Sequence, residues 1–464
     1  MNNRYLIIIL LVNAIALAVI GNRGPASTRE MLGLFAMANI ADNQQVILPE
    51  AFGNYHEAIE VDKGKYLAPQ PLLQQVGGSI SYKIAKVFFG VDRNWEGLRK
   101  FYRIASYLGN LIASTILIIL FSKALAVKGL RENEALLLLI PLAFFSLAFT
   151  AGMVLQVHLF VAALCFWALH CVNNGVYQLN RDLPHRKDFM FAGGFLAFAA
   201  CLSFPVIGLA AGFLVIFLTQ KDLKFNRVAL DMILGAVGPV IITVVFITIY
   251  SRQAGIFIPP WPEAAIISDA SPATVMKYFW HSTVGLNGFF VYSPLATLGV
   301  VSLFKRLNHF QSLTQRRKNL DRYAKGQYLI ASSVYWGGIL SLVFFWLETL
   351  INGVEPVFNP EHLQRSIINL GGDEIALESY LRSYGTLSLL FLLPVLHYFN
   401  LHIFKEKPFK NFKFFYHEVV RVGALIAIVG LGSPAGGYLV PFIWSLNQIA
   451  MTVTHYFPQG TLLW

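Results

Sequence analysis

The sequence predicts an all-α, polytopic integral membrane protein, and three observations carry that prediction. Hydrophobic residues form 56% of the chain and charged residues only 13%, a balance far from that of soluble globular domains. Apolar runs long enough to cross about 30 Å of hydrocarbon recur from one end of the chain to the other. Lys and Arg gather in alternate gaps between those runs, the pattern that orients membrane helices.

About eleven spans can be placed, within a range of about ten to thirteen. The first covers 5–20 and follows the short start Met-Asn-Asn-Arg. Its small-residue cleavage pattern is poor, so it reads as an uncleaved signal anchor. Then come 104–121, 135–153, 155–172, 189–204 and 205–220. The later ones are 232–250, 284–304, 328–351, 381–400 and 419–451. The last is overlong and holds Gly432, Pro434, Gly436 and Gly437, which points to a kinked span or a helical hairpin.

Charge orients these spans. With Arg4 on the cytoplasmic face, the gaps that fall inside hold 22 Lys and Arg against nine acids, and the outer ones 14 against 16. This asymmetry predicts a cytoplasmic N-terminus and an extracytoplasmic C-terminus. The chain 1–464 reads as one membrane domain, with long outer loops at 21–103, 251–283 and 352–380. The basic loop 305–326 lies inside and reads as a topology determinant attracted to anionic lipid. The net charge of +11 therefore reports membrane orientation rather than nucleic-acid binding. Cys165, Cys171 and Cys201 all lie in apolar runs, the setting of small core residues rather than disulfide partners or metal ligands.

Motifs of soluble catalysis are missing from the sequence. It contains no Walker loop, no dinucleotide glycine fingerprint, no His-Glu-x-x-His, no Cys-x-x-Cys and no Gly-x-Ser-x-Gly. ATP-driven and zinc-protease chemistry are disfavoured accordingly. Attention falls on the first outer loop, where roughly 80 residues separate two spans and ask for a reason. Residues 29–39 predict an amphipathic helix with Met31, Leu34, Phe35 and Ala38 on one face, lying in the membrane interface with Arg29 and Glu30 at its polar start. Downstream, Glu57, Glu60 and Asp62 offer further carboxylates, and Lys63, Lys65 and Tyr66 supply donors suited to phosphate or sugar hydroxyls. Each acid taken singly reads first as a solvated loop residue.

Taken in order, these features resemble the polyprenyl-phosphate-dependent sugar transferases of the GT-C superfamily, which includes the protein mannosyltransferases and the aminoarabinose transferase. A signal-anchor helix is followed by a long outer loop opening on Ser27-Thr28-Arg29-Glu30-Met31-Leu32. An acid precedes Gly-x-Tyr in Asp62-Lys63-Gly64-Lys65-Tyr66, and Pro69-Gln70-Pro71-Leu72-Leu73 makes a Pro-rich entry to the next helix. Gln156-Val157-His158 and the stretch from Gly285 to Pro294 extend the likeness, which covers roughly residues 3–305 and fades beyond.

The resemblance implies a catalytic carboxylate just past the first span. In that superfamily it is usually an Asp, whereas here no Asp occurs before Asp42 and the matching neighbourhood holds Arg29-Glu30. Glu30, Asp62 and Glu57 are the candidate bases. Arg29, Lys65, Tyr66, His158 and Arg382 are candidates for the donor's phosphate and sugar. His158 reads either as a hydrogen-bonded core histidine or as a reader of the lipid-linked donor, and Arg382 either as an ion-pair partner of Glu348 or as a phosphate ligand. His281, beside Trp280, reads as an interfacial residue.

The implied activity is transfer of a sugar from a polyprenyl-phosphate donor to an acceptor on the extracytoplasmic side. An outer-loop carboxylate would take the acceptor's proton while cations stabilise the departing phosphate. The partners are membrane lipid and the lipid-linked sugar, with no nucleic acid. No metal-ligand set stands out, and a divalent ion assisting the transfer is the one cofactor left open. The alternative is a non-catalytic membrane subunit or scaffold of transferase-like ancestry. A transporter ranks third, because repeat symmetry and broken helices in two halves are not convincing.

Overall fold

The structure is a computed structural model that describes residues 3–20, 28–54, 58–68, 72–127, 157–219, 223–254 and 322–352, with single positions 70, 136, 139, 140, 142, 143, 152, 155 and 390. It is mostly helical. In chain order the helices are α1 (Asn3–Ile20), α2 (Thr28–Asn43), α3 (Leu72–Phe89), α4 (Trp95–Val127) and α5 (His158–Asn180). They continue with α6 (Arg186–Leu202), α7 (Val206–Leu218), α8 (Leu223–Ala254) and α9 (Arg322–Asn352). Between α2 and α3 lies a hairpin of β1 (Ile59–Asp62) and β2 (Lys65–Leu67).

Among the described residues, four helices are long and apolar enough to cross a membrane, at Trp95–Lys123, His158–Asn180, Asn226–Ile249 and Tyr328–Leu347. The stretches Arg4–Val19 and Val206–Leu218 are apolar but shorter. The expected spans at 284–304 and 419–451 lie outside the described residues, as does most of 135–153 and of 381–400.

Small residues bring the helices together where the hydrophobic effect offers no preference between lipid and protein. A Cβ on Gly193 of α6 would collide with the Met232 carbonyl of α8, and one on Gly235 of α8 with the Met190 carbonyl of α6. Gly208 and Gly212 of α7, a Gly-x-x-x-Gly pair, meet the backbone of α9 at Leu340, Ser341 and Gly337. Cys165 and Cys171 are buried in the main apolar core, as expected of small core residues.

The two ends of the helical assembly are distinct. At one end Asn174 of α5 donates to Asp188 of α6 at 2.8 Å. There too Arg186 of α6 meets Asp231 of α8 at 2.8 Å. At the other end Gln253, near the end of α8, clasps the chain just beyond α2. Its Nε2 donates to the Gln44 carbonyl at 2.9 Å, and its Oε1 accepts from the Val46 N–H at 3.0 Å. The cap formed by residues 28–54 and 58–68 and the C-terminal end of α8 therefore share a side.

One expectation is corrected. The helix α2 does not lie on a surface with a single buried face. Leu34, Met37, Ala38 and Ala41 pack against Tyr82, Ala85, Leu98, Phe101 and Tyr102 of α3 and α4. Leu32 and Ala36 pack on the other side against Leu48 and Ala68. Of the four residues expected on the buried face, Leu34 and Ala38 are fully buried, while Met31 and Phe35 are half-buried. The period-3.6 pattern marks the helix, but small residues all round it, such as Gly33, Ala36 and Ala41, let neighbours close on both sides.

Candidate functional site

The first turn of α2 holds the central group. Ser27 followed three residues on by Glu30 has the spacing of a capping box. An acid in the first turn also suits the positive end of the helix dipole. Both favour a helix starting here. Because α2 is enclosed by α3, α4 and the hairpin, that acid is carried inward, and Glu30 is only 5% exposed. Burying a carboxylate is costly unless polar groups meet it. The hydroxyl of Tyr102, on α4, donates to Glu30 Oε2 at 3.0 Å.

Tyr102 is itself fully buried, and its oxygen accepts from the Leu155 N–H at 3.3 Å. The phenol thus joins α2, α4 and the chain entering α5. The junction continues as a buried polar stripe along α4 at four-residue spacing: Tyr102, Ser106, Asn110 and Ser114. Ser106 Oγ donates to the Tyr102 carbonyl at 2.7 Å, and Asn110 Nδ2 donates to the Gly152 carbonyl at 2.8 Å. Deeper in, Ser114 Oγ donates to Asn13 Oδ1 at 2.8 Å. Asn13 Nδ2 donates in turn to the Ala143 carbonyl at 2.8 Å. Sequence reasoning missed this stripe. Its signal was present, since polar residues four apart in an apolar helix fall on one face and need internal partners.

Asp62 has a different setting. It ends β1 at the tip of the hairpin and is exposed. Its Oδ1 accepts from the Lys63 N–H at 2.9 Å, and its Oδ2 pairs with Lys65 Nζ at 2.8 Å. Gly64, with φ +74°, takes the left-handed turn position that side chains resist. The hydrogen bond from Lys65, followed by that from the Lys63 backbone, holds the Asp62 carboxyl below its ordinary range. Asp62 and Lys65 together therefore stabilise a turn.

Tyr66 stands on β2, where its backbone pairs with Leu48 at 2.8 Å and 3.3 Å and its ring covers Gly53. Partial desolvation, then the nearby carboxylates of Glu60 and Glu50, raise its phenol above the usual range. His158 is half-buried at the start of α5, three residues beyond Leu155. Arg29 lies in the first turn of α2. Glu57 and Arg382 lie outside the described residues, as does His281, and of Glu348 only its place in α9 is described. The structure thus sets Glu30 at a junction of α2, α4 and the entry to α5, near the start of the helix bearing His158, and sets Asp62, Lys65 and Tyr66 on the hairpin.

A second polar cluster fixes the far end of α2. Arg93 donates to Asn39 Oδ1 at 3.0 Å. Asn39 Nδ2 donates to the carbonyls of Gln45 and Ile47 at 3.0 and 2.8 Å. Lys86 of α3 pairs with Asp42 at 2.9 Å. Among the described residues no three His, Cys, Asp or Glu side chains come together as a metal site. Comparison with protein-family models, with curated proteins and with solved structures finds no match.

The junction has the parts of an acid–base site in one respect. A carboxylate is held by a phenol at a helix N-terminus, on the side of the molecule that carries the cap. Such a group accepts a proton from a hydroxyl brought within hydrogen-bond reach.

Proposed function

We propose that this chain is a membrane glycosyltransferase of GT-C type. It moves a sugar from a polyprenyl-phosphate donor to an acceptor on the extracytoplasmic side, with Glu30 as general base. The observation that supports this reading is the placement of Glu30. It is the first acid after the first apolar helix, it lies in the opening turn of the first helix beyond it, and it is buried against Tyr102. Charge alternation in the sequence puts the cap outside and the N-terminus inside.

The physical logic suits the chemistry. A donor with a long isoprenoid tail docks from the bilayer, while its sugar meets the acceptor in water. In the proposed step Glu30 takes the acceptor hydroxyl proton, and the C–O bond to the donor phosphate breaks as the new glycosidic bond forms. The phosphate leaves with its bonding electrons, stabilised by cationic and hydroxyl side chains. Arg29, Lys65, Tyr66, His158 and Arg382 are the residues proposed for that role. Asp62 and Glu57 stand behind Glu30 as bases, Asp62 because its carboxylate is already engaged in the hairpin turn.

Burial of Glu30 also supports a second reading. A carboxylate only 5% exposed and tied to a buried phenol serves equally as a structural tether, as in a non-catalytic subunit of transferase ancestry. A transfer assay decides between them. Membranes carrying the intact chain, Glu30→Gln, Asp62→Asn or Glu57→Gln are given a panel of labelled polyprenyl-phosphate sugars. Loss of the base lowers turnover by roughly 10² to 10⁴ with donor binding retained. Full activity in Glu30→Gln removes Glu30 as base, and no transfer by the intact chain across the panel favours the scaffold.

A further inference from the structure

The helix α3 is built inside out for a helix in water. Its side toward the protein carries Gln75, Ser79, Tyr82 and Ala85, all buried. Its outward side carries Ile80, Ile84, Val87 and Phe88, with Val87 78% and Phe88 75% exposed. Steps of four, three and one put these four side chains on one stripe about 100° wide. Large apolar side chains gathered in this way on one surface mark contact with something other than water.

Two observations identify what covers the stripe. The first is contact with a helix long and apolar enough to cross a membrane. α3 packs against α8, and α8 exposes Val240, Ile241, Val244, Val245 and Ile249 along the half nearer the cap. The second is the border of the stripe. Lys86 is engaged by Asp42, whereas Lys83 is exposed at the stripe's edge. Just past the end of α3, Trp95 is 43% exposed and carries the Arg99 guanidinium 5.8 Å from its ring centroid. An apolar stripe edged by Lys, with a Trp and an Arg at its end, is the composition of a segment lying at the headgroup level.

We infer that α3 is a membrane-surface helix. Its outward stripe enters the boundary between headgroups and acyl chains, and Lys83 and Arg99 meet the phosphates of anionic lipids. The surface expected of α2 thus belongs to α3, and α2 rides on top of it, with Met37 seated on Gly78. The height of Glu30 above the bilayer is set by this platform. The inference stands independently of sugar transfer.

The test uses the full chain in nanodiscs of mixed phosphatidylcholine and phosphatidylglycerol. A photoreactive benzophenone amino acid replaces Ile84 or Phe88 in turn, with Asp62 at the exposed hairpin tip as the aqueous control. Mass spectrometry of the adducts is expected to find lipid at positions 84 and 88 and none at 62. Adducts at 84 and 88 to another part of this chain or to a second copy, or no lipid adduct there, would overturn the assignment. Phosphatidylglycerol is expected to exceed its mole share among the adducts several-fold. It should fall to that share in the Lys83→Gln, Arg99→Gln double variant. Adducts that match the mole share in the unsubstituted chain overturn the role given to Lys83 and Arg99.

Discussion

The hydroxyl of Tyr102 donates to the carboxylate of Glu30 across 3.0 Å, joining two helices through residues 72 positions apart. Removing that hydroxyl takes one hydrogen-bond donor away from a buried carboxylate. Tyr102→Phe is therefore expected to destabilise the folded protein by about 1–3 kcal/mol, the range for losing one hydrogen bond to a charged group. Thermal unfolding in detergent reads the effect. A melting temperature equal to that of the unsubstituted protein would show that the bond contributes nothing. The double variant with Glu30→Gln should lose less than the sum of the two single variants, because both remove one interaction.

Enclosure of α2 on both sides predicts strong sensitivity along its length. Leu34→Asp places a charge among Tyr82, Phe101 and Tyr102 and is expected to weaken folding by a few kcal/mol, on the order of 3. Phe35→Asp disrupts the ring contacts with Phe52 at 4.8 Å and Trp95 at 6.5 Å and is expected to be milder, since Phe35 is only half-buried. Gln45→Asp, at an exposed position just past the helix, is the control. Folded yield by size-exclusion chromatography checks the order, and equal yields from all three would mean that the helix is not packed as described.

Close helix crossings make a different prediction. Gly212→Leu forces a branched side chain into the backbone of α9 at Gly337, so the two helices must separate. Loss of monodisperse protein is expected, with Gly77→Leu, on the open side of α3, as the tolerated comparison. Equal behaviour of the two would count against the crossing.

Acid should act on the hairpin only below the usual carboxylate range. Asp62 has its folded-state pKa lowered by Lys65 and by the Lys63 N–H. Its contribution to stability is fully present above the unfolded-state value and is lost as pH falls through the folded one. Asp62→Asn should therefore lower the melting temperature by an amount that stays constant between about pH 6 and 8. The gap from the unsubstituted protein should close only in strong acid, as the contribution of Asp62 is lost there too. A gap that varies with pH in the neutral range would mean that another titrating group is coupled to Asp62.

Charge alternation predicts the sidedness, and the Gln253 clasp puts the cap and the end of α8 on one side of the molecule. A cysteine placed at Gln315 should react with impermeant reagents only from the cytoplasmic side, and one at Asp62 only from outside. Reversal of both would invert the whole topology.

Much of the architecture was legible in composition and in the spacing of apolar runs. The helices α1, α6, α7 and α9 begin and end within a few residues of the runs at 5–20, 189–204, 205–220 and 328–351, except that α9 starts earlier, at Arg322. There the boundary is a change from apolar to charged residues, which the sequence states directly. α4 starts at Trp95, well before the run at 104, and α8 at Leu223, before 232. Helices continue past hydrocarbon for as long as their polar ends find partners, and hydropathy does not record those partners.

Local sequence also determined that an acid stands just beyond the first apolar helix, and that the following segment is helical. Which carboxylate is buried was decided only by tertiary structure. Glu30 and Asp62 are both acids near basic residues in one loop, yet one meets a phenol 72 residues away and the other a lysine three residues away. The same holds for the faces of α2 and α3. In a membrane protein an apolar face suits lipid and protein alike, so periodicity by itself does not tell a packed face from a lipid-facing one. Closure of the hairpin and α4 over α2 made that choice, and it left the stripe of α3 facing out.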